Sequence, residues 1–137
     1  MPVLETDFLK GIIDPKDELH SQAKKALVRV RRGEWRVASS ALLELDVIMK
    51  NEGIPDEERL DVFNSLTAEF PAEAIHPITH SSLSISVGLQ KSYTAIRSFY
   101  FDSIHIGVAI TADRMIVSSD SSFDRVREIE RIALETL

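Results

Sequence analysis

Four acidic residues, Glu5, Glu44, Asp102 and Asp120, stand where a small α/β chain would bring its segment ends together. The last two fall in FDSIHIGVAITADRMIVSSDSSF, residues 101–123. That stretch reads as an acid opening an apolar helix, then a short strand, then a serine-rich turn around an aspartate. Carboxylates a few ångströms apart repel, and their pKa values rise unless a cation neutralises them. A hard divalent ion with oxygen ligands is the natural cation. The chemistry indicated is therefore metal-assisted.

Other reactive types offer less. There is no Cys, hence no thiolate, disulfide or Cys-based zinc site. His105 falls three residues after Asp102 on the same helix face, where packing or support of a neighbouring acid is the expected role. No second His has a spacing that suits zinc. His76 and His80 flank Pro77, which forbids a regular helical pair, and His20 is expected at the surface. Ser39 and Ser40 suit helix N-caps better than nucleophiles.

At 137 residues the whole chain, 1–137, is expected to be one domain. The 44% hydrophobic and 28% charged shares are those of a soluble globular protein. No run approaches the roughly 18 apolar residues of a membrane span, and Glu5 and Asp7 interrupt any leader-like start. With no Cys, the expectation is a cytoplasmic protein. The net charge of −6 argues against bulk attraction to nucleic acid or acidic membranes. Yet Lys24, Lys25, Arg29, Arg31, Arg32 and Arg36 fall within thirteen positions. They form either a solvated helix face or a patch that tracks phosphates beside an acidic site.

The acids need elements to hold them. Pro2–Glu5 reads as a buried strand and Phe8, Leu9, Ile12 and Ile13 as a helix face. Asp14-Pro15 predicts a second helix start, with Leu19, Ala23, Ala26, Leu27 and Val30 as its stripe and Gly33 as its stop. Trp35–Ala38 predicts a strand. Ser39 or Ser40 then caps a helix with Leu42, Leu45, Ile48 and Met49 inside. A fourth helix follows Pro55, using Leu60, Phe63 and Leu66. Ala74–Ile78 is a strand kept short or at an edge by Pro77. Helices follow at about 80–93 and 102–113, then a strand at Met115–Ser118. The C-terminal segment suits either a helix or a short strand at 129–132. Alternating strands and helices predict a mainly parallel sheet with helices on both faces. Ligands of such sheets bind beyond the carboxyl ends of the strands. Glu5, Ser39 and the Ser118–Asp120 segment all sit there, and Glu44 lies one turn into a helix that starts there.

With these segments on the page, the chain resembles the PIN-domain nucleases, which include the VapC toxins of toxin–antitoxin pairs. The resemblance runs from Val3 to about Ile132. It is carried by VLETDFLKGII, by SSALLELDVIMKNEG, and most strongly by FDSIHIGVAITA with RMIVSSDSSFDRV. It implies a three-layer PIN-like α/β fold, with Glu5, Glu44, Asp102 and Asp120 as the family's four acids. It also favours a strand at 129–132 and implies a homodimer. Glu5 replaces a usual Asp and is one methylene longer. Asp7 replaces a usual Ser or Asn, and is an extra ligand, a helix-capping acid or a substitute for Glu5. Ser122 stands where many members carry another Asp, with Asp124 two residues on as a compensating acid.

The expected roles follow. Glu5, Asp102 and Asp120 hold Mg²⁺ or Mn²⁺, directly or through water. Glu44 binds through water or orients the attacking water, and a second ion recruited by substrate would steady the leaving oxygen. Thr6 and Ser118 hydrogen-bond a carboxylate or the scissile phosphate. Arg31, Arg32 and Arg36 are the candidate RNA-binding residues. The resemblance implies a metal-dependent endoribonuclease leaving 5′-phosphate and 3′-hydroxyl ends, held inactive, if a toxin, by a small antitoxin. The runner-up is a PIN-fold interaction module with little catalysis. A phosphorylated signalling receiver is disfavoured, because no Lys follows a late strand.

Overall fold

The computed structural model describes all 137 residues. Five short strands, β1 (Val3–Leu4), β2 (Arg36–Ala38), β3 (Ile75–His76), β4 (Met115–Ser118) and β5 (Glu130–Ala133), form one sheet in the order β3-β2-β1-β4-β5. Every pairing is parallel, with Val3 opposite both Arg36 and Ile116. Seven helices connect them: α1 (Thr6–Ile13), α2 (His20–Arg31), α3 (Ser39–Asn51), α4 (Asp56–Glu69), α5 (His80–Ser92), α6 (Thr94–Arg97) and α7 (Tyr100–Ala112). This is the three-layer, mainly parallel, PIN-like arrangement expected above. No helix is long and apolar enough to cross a membrane.

The strand order carries the functional consequence. The chain steps outward from β1 to β2 to β3, then returns to the other side of β1 with β4. Connections leave β1 and β4 in opposite directions, so a crevice opens at the carboxyl ends of that pair. Leu4 is opposite Val117, which puts Glu5 beside Ser118 at its mouth.

Apolar patterning accounts for most of the elements. Val3, Leu4, Ile116 and Val117 are fully buried, as central parallel strands require. Seven successive residues of α7, Ser103–Ala109, are buried, so this helix runs through the interior rather than along the surface. Gly33 closes α2 with φ +74°, a left-handed conformation that favours glycine. β3 is short and at the sheet edge, as Pro77 demands, and 130–133 is a strand.

Four expectations change. Asp14 does not begin a helix; it caps the end of α1, its carboxylate accepts the Lys16 N–H, and Asp17 accepts the Leu19 N–H. These two local turns consume the residues through Leu19, and α2 starts at His20. Ser39 and Ser40 do not cap α3. Ser39 Oγ accepts the Ile78 N–H, tying down the segment after β3, and Ser40 Oγ meets His105. His20 is half-buried, with Nδ1 2.7 Å from the Gly11 carbonyl. Leu60 is 61% exposed rather than part of an apolar face.

Gly107 marks the closest helix contact. A Cβ there would lie 2.3 Å from the Ser82 carbonyl oxygen of α5, a backbone atom with nowhere to move cheaply. Gly107→Ala should therefore force α5 and α7 apart and destabilise by about 2 kcal/mol. Thermal unfolding would read this as a drop of roughly 5–10 °C. An unchanged midpoint would mean that the α5–α7 contact is looser than described.

Candidate metal centre

Glu5 ends β1 and is only 7% exposed. Its Oε1 accepts the Ser118 hydroxyl at 2.6 Å across the β1–β4 crevice, and its Oε2 accepts the Asp7 N–H at 3.2 Å, capping α1. Burial, reinforced by the neighbouring Asp7 carboxylate, pushes the Glu5 carboxyl well above the ordinary range.

Glu44 reaches the same place from the second turn of α3. Its Oε1 accepts the Thr6 hydroxyl and lies 3.0 Å from His105 Nε2. Burial raises its carboxyl, but hydrogen bonds from His105 and Thr6 outweigh burial and leave it below the ordinary value. An ionised Glu44 only accepts, so His105 must carry its proton on Nε2. Nδ1 then accepts the Ser40 hydroxyl at 2.7 Å. His105 is fully buried, and both nitrogens are committed. The result is a chain Ser40–His105–Glu44–Thr6 that fixes one oxygen of Glu44. Its other oxygen, Oε2, makes no hydrogen bond within the protein.

Asp102 lies in the first turn of α7, half-buried. Burial pushes its carboxyl up to about 6; His105 pulls it down, while Glu44 and Asp120 push it up. Asp120 follows β4, is exposed, and caps the 3-10 turn Ser121–Arg125 by accepting the Ser122 N–H at 2.9 Å. Asp102 thus lies within the fields of both Glu44 and Asp120.

Can this set hold a cation? Carboxylate oxygens of Glu5 and Glu44 and a ring nitrogen of His105 lie within 4.8 Å of one another. Asp7 Oδ2 accepts the Ser119 N–H and hydroxyl, each at 2.6 Å, while its Oδ1 is buried with no partner. A buried carboxylate oxygen without a donor, beside a Glu whose ionisation is suppressed, is a site short of positive charge. Oxygen-rich and partly solvent-reached, the set could hold a divalent metal ion.

The remaining sequence candidates divide. Thr6 and Ser118 do hydrogen-bond carboxylates, Glu44 and Glu5 respectively. Asp7 clamps the loop after β4. Asp124 does not join the acids; its carboxylate is held by Arg131 at 2.9 Å, which lowers its pKa. The basic cluster does not border them either. Arg36 enters β2 opposite Val3, at the amino ends of the strands, while the acids lie at the carboxyl ends. Arg31 pairs with Glu69 at 2.7 Å, Arg29 lies over the Trp35 ring, and Arg32 is exposed on the outside of α2. The basic cluster therefore lies at the opposite end of the strands from the acids rather than beside them. From sequence, His105 is expected only to pack or to support a neighbouring acid. Its sole sequence signal was the three-residue spacing from Asp102, and nothing local pointed to Ser40 or Glu44.

The raised carboxyls make a stability prediction. Asp102 has an ordinary value of 3.8 and a folded value of about 6. Between those limits the folded chain binds more protons than the unfolded one, so metal-free stability falls as pH rises through that window. Glu5 shifts in the same direction and extends the fall upward. Glu44, being lowered, acts oppositely and loses its contribution only as pH drops through its folded value. The metal-free protein should thus melt several degrees lower at pH 7.5 than at pH 5, about 3–5 °C per kcal/mol lost. Saturating Mn²⁺ should remove most of the difference. A midpoint that rises over this range would mean the acids are not crowded.

No protein-family model and no curated protein sequence matches the chain. Two solved structures do share its fold. The FitAcB structure from Neisseria gonorrhoeae superposes with a TM-score of 0.72 at 14% identity, covering 100% of both chains. A structure of FitAB bound to an IR36 DNA fragment gives 0.70 at 13% identity, covering 100% of this chain and 97% of that one. At such identities the likeness establishes the fold alone.

Proposed function

We propose that the chain is a Mg²⁺- or Mn²⁺-dependent endoribonuclease of the VapC-like type, acting as one domain. The observation that carries this reading is the approach of Glu5, Glu44 and His105 to within 4.8 Å of one another at the β1–β4 switch point, with Asp102 in the field of Glu44. The raised carboxyls of Glu5 and Asp102 and the unpartnered Asp7 oxygen call for a cation there. The sequence resemblance and the shared fold supply the reaction class.

Glu5, Asp102 and Asp120 would hold the ion. A bound divalent cation supplies positive charge against the negative charge developing on the attacked phosphodiester. Glu44, ionised near neutral pH and fixed through Oε1, presents Oε2 to orient a water and accept its proton. The water oxygen bonds to phosphorus as the P–O3′ bond breaks. The 3′-oxygen takes a proton from solvent, and the products carry 5′-phosphate and 3′-hydroxyl ends. Ser118 and Thr6 hold the acids in register rather than touching the phosphate.

In this reading the protein is a cytoplasmic homodimer, and a toxin role brings an antitoxin that places an Arg or Lys in the acidic site. A role in cellular RNA processing uses the same chemistry. One observation favours the runner-up, a PIN-fold interaction module: both Glu5 carboxylate oxygens are already engaged, by Ser118 and the Asp7 N–H. The deciding experiment is cleavage of a panel of structured and single-stranded RNAs with Mn²⁺, with Mg²⁺ and with EDTA. Cleavage that requires metal is expected. A folded protein that binds Mn²⁺ and cleaves nothing would leave the interaction module.

A further inference from the structure

A cavity of about 300 Å³ opens beside the acids, and the functional reading above does not use it. Asp102 and Asp120 line it together with the apolar side chains of Tyr93, Ile96, Phe99, Ile106, Phe123 and Val126 and with the exposed Arg125. Phe123, Val126 and Ile106 are almost fully buried and therefore rigid, whereas Phe99 is 62% exposed. Tyr93 is fixed at its hydroxyl, which donates to Glu128 at 2.8 Å and accepts the Arg127 N–H at 3.3 Å. Arg125 makes no ion pair.

We infer that this cavity is a nucleobase pocket, which takes one unpaired base of single-stranded RNA from a nucleotide next to the cleaved phosphate. The inference rests on the nuclease reading for its substrate and on the cavity for its geometry. Whatever occupies the cavity lies against Asp102 and Asp120, so in a nuclease it belongs to the nucleotide at the reacting centre. The occupant must be flat or apolar enough for aromatic and aliphatic walls, yet attached to an anion that Arg125 can meet. A nucleobase with its phosphate satisfies both demands. Stacking on aromatic rings tolerates any base, because each presents a π-face. A base inside a duplex is already stacked and cannot enter without being flipped out. The pocket thus selects unpaired RNA without strict sequence choice.

The test separates the pocket from the catalysis. Glu44→Gln protein, which keeps every residue of the cavity, is titrated in Mg²⁺ with short single-stranded RNAs that carry 2-aminopurine at successive positions. Fluorescence should be quenched at one position, and the same RNA annealed to its complement should give no quenching. Phe99→Ala, an exposed and therefore foldable change, should weaken binding on the order of tenfold. An abasic nucleotide at the quenched position should do the same, and the two together should do no more than either alone. No position-specific quenching, or equal Phe99→Ala effects on intact and abasic RNA, overturns the pocket. That is also the result expected if the cavity serves a side chain of a protein partner. Position-specific binding by a wild type that cleaves nothing keeps the pocket and sinks the nuclease reading instead.

Discussion

Asp102→Asn should lower metal-dependent RNA cleavage on the order of 10³-fold, because in the proposed reaction it removes a charge that would help hold an ion worth several kcal/mol to the transition state. The same change should make the metal-free protein more stable above pH 6. Burial, with the fields of Glu44 and Asp120, raises the Asp102 carboxyl to about 6, so above that pH its charge is costly and an uncharged isostere relieves repulsion that the wild type carries. Opposite movements of activity and metal-free melting point are the signature of a crowded ligand set. A merely structural acid would lose both together. Asp120→Asn should also reduce cleavage strongly but shift the melting point less, since Asp120 is exposed. Rates and melting curves of both variants, with and without Mn²⁺, decide the matter. Wild-type rates in both variants would remove these acids from the reaction.

His105→Leu should weaken Mn²⁺ binding about 10- to 100-fold without removing a ligand, the usual effect of losing support from outside the ligand set, here through Glu44 and the water it orients. His105 donates from Nε2 to Glu44 Oε1, while Ser40 holds Nδ1. Without that donor, Glu44 keeps only Thr6 and is free to rotate. Calorimetry on a double-mutant cycle tests the mechanism. In a Glu44→Gln background the His105 change should have little further effect, since the residue acts through Glu44. His105→Gln, which retains an N–H donor, should recover part of the affinity. If the loss persists undiminished beside Glu44→Gln, and the Mn²⁺ spectrum shows nitrogen coupling that His105→Leu removes, His105 is itself a ligand. Unfolding of the Leu variant would not blur this, because Ser40→Ala loosens the same ring from its other side and carries a milder version of the prediction.

Much of this protein was legible along the chain because local rules suffice for it. The apolar runs at Val3–Leu4 and Met115–Ser118 specify buried strands, and Pro77 shortens β3. Asp102 near a helix start and Asp120 in a turn are readable from a few neighbouring residues. Alternation of strands and helices implies parallel pairing, and with it a ligand site at the strand ends. The resemblance then singled out which acids to watch.

Other features depend on groups far apart in sequence. Ser39 and Ser40 look like helix caps, because a serine before an apolar helix usually is one. Their hydroxyls instead serve Ile78 and His105, 39 and 65 residues away. Thr6 meets Glu44 across 38 residues, and Ser118 meets Glu5 across 113. The basic run from Lys24 to Arg36 announces its charge but not the end of the strands at which it lies, which the direction of β2 settles. What the sequence alone determined was therefore the list of elements and the chemical types available, since capping, turns and periodicity act over about four residues. What only the tertiary structure decided was which polar groups satisfy one another, because burial removes water as an alternative partner and forces each to find one across the fold.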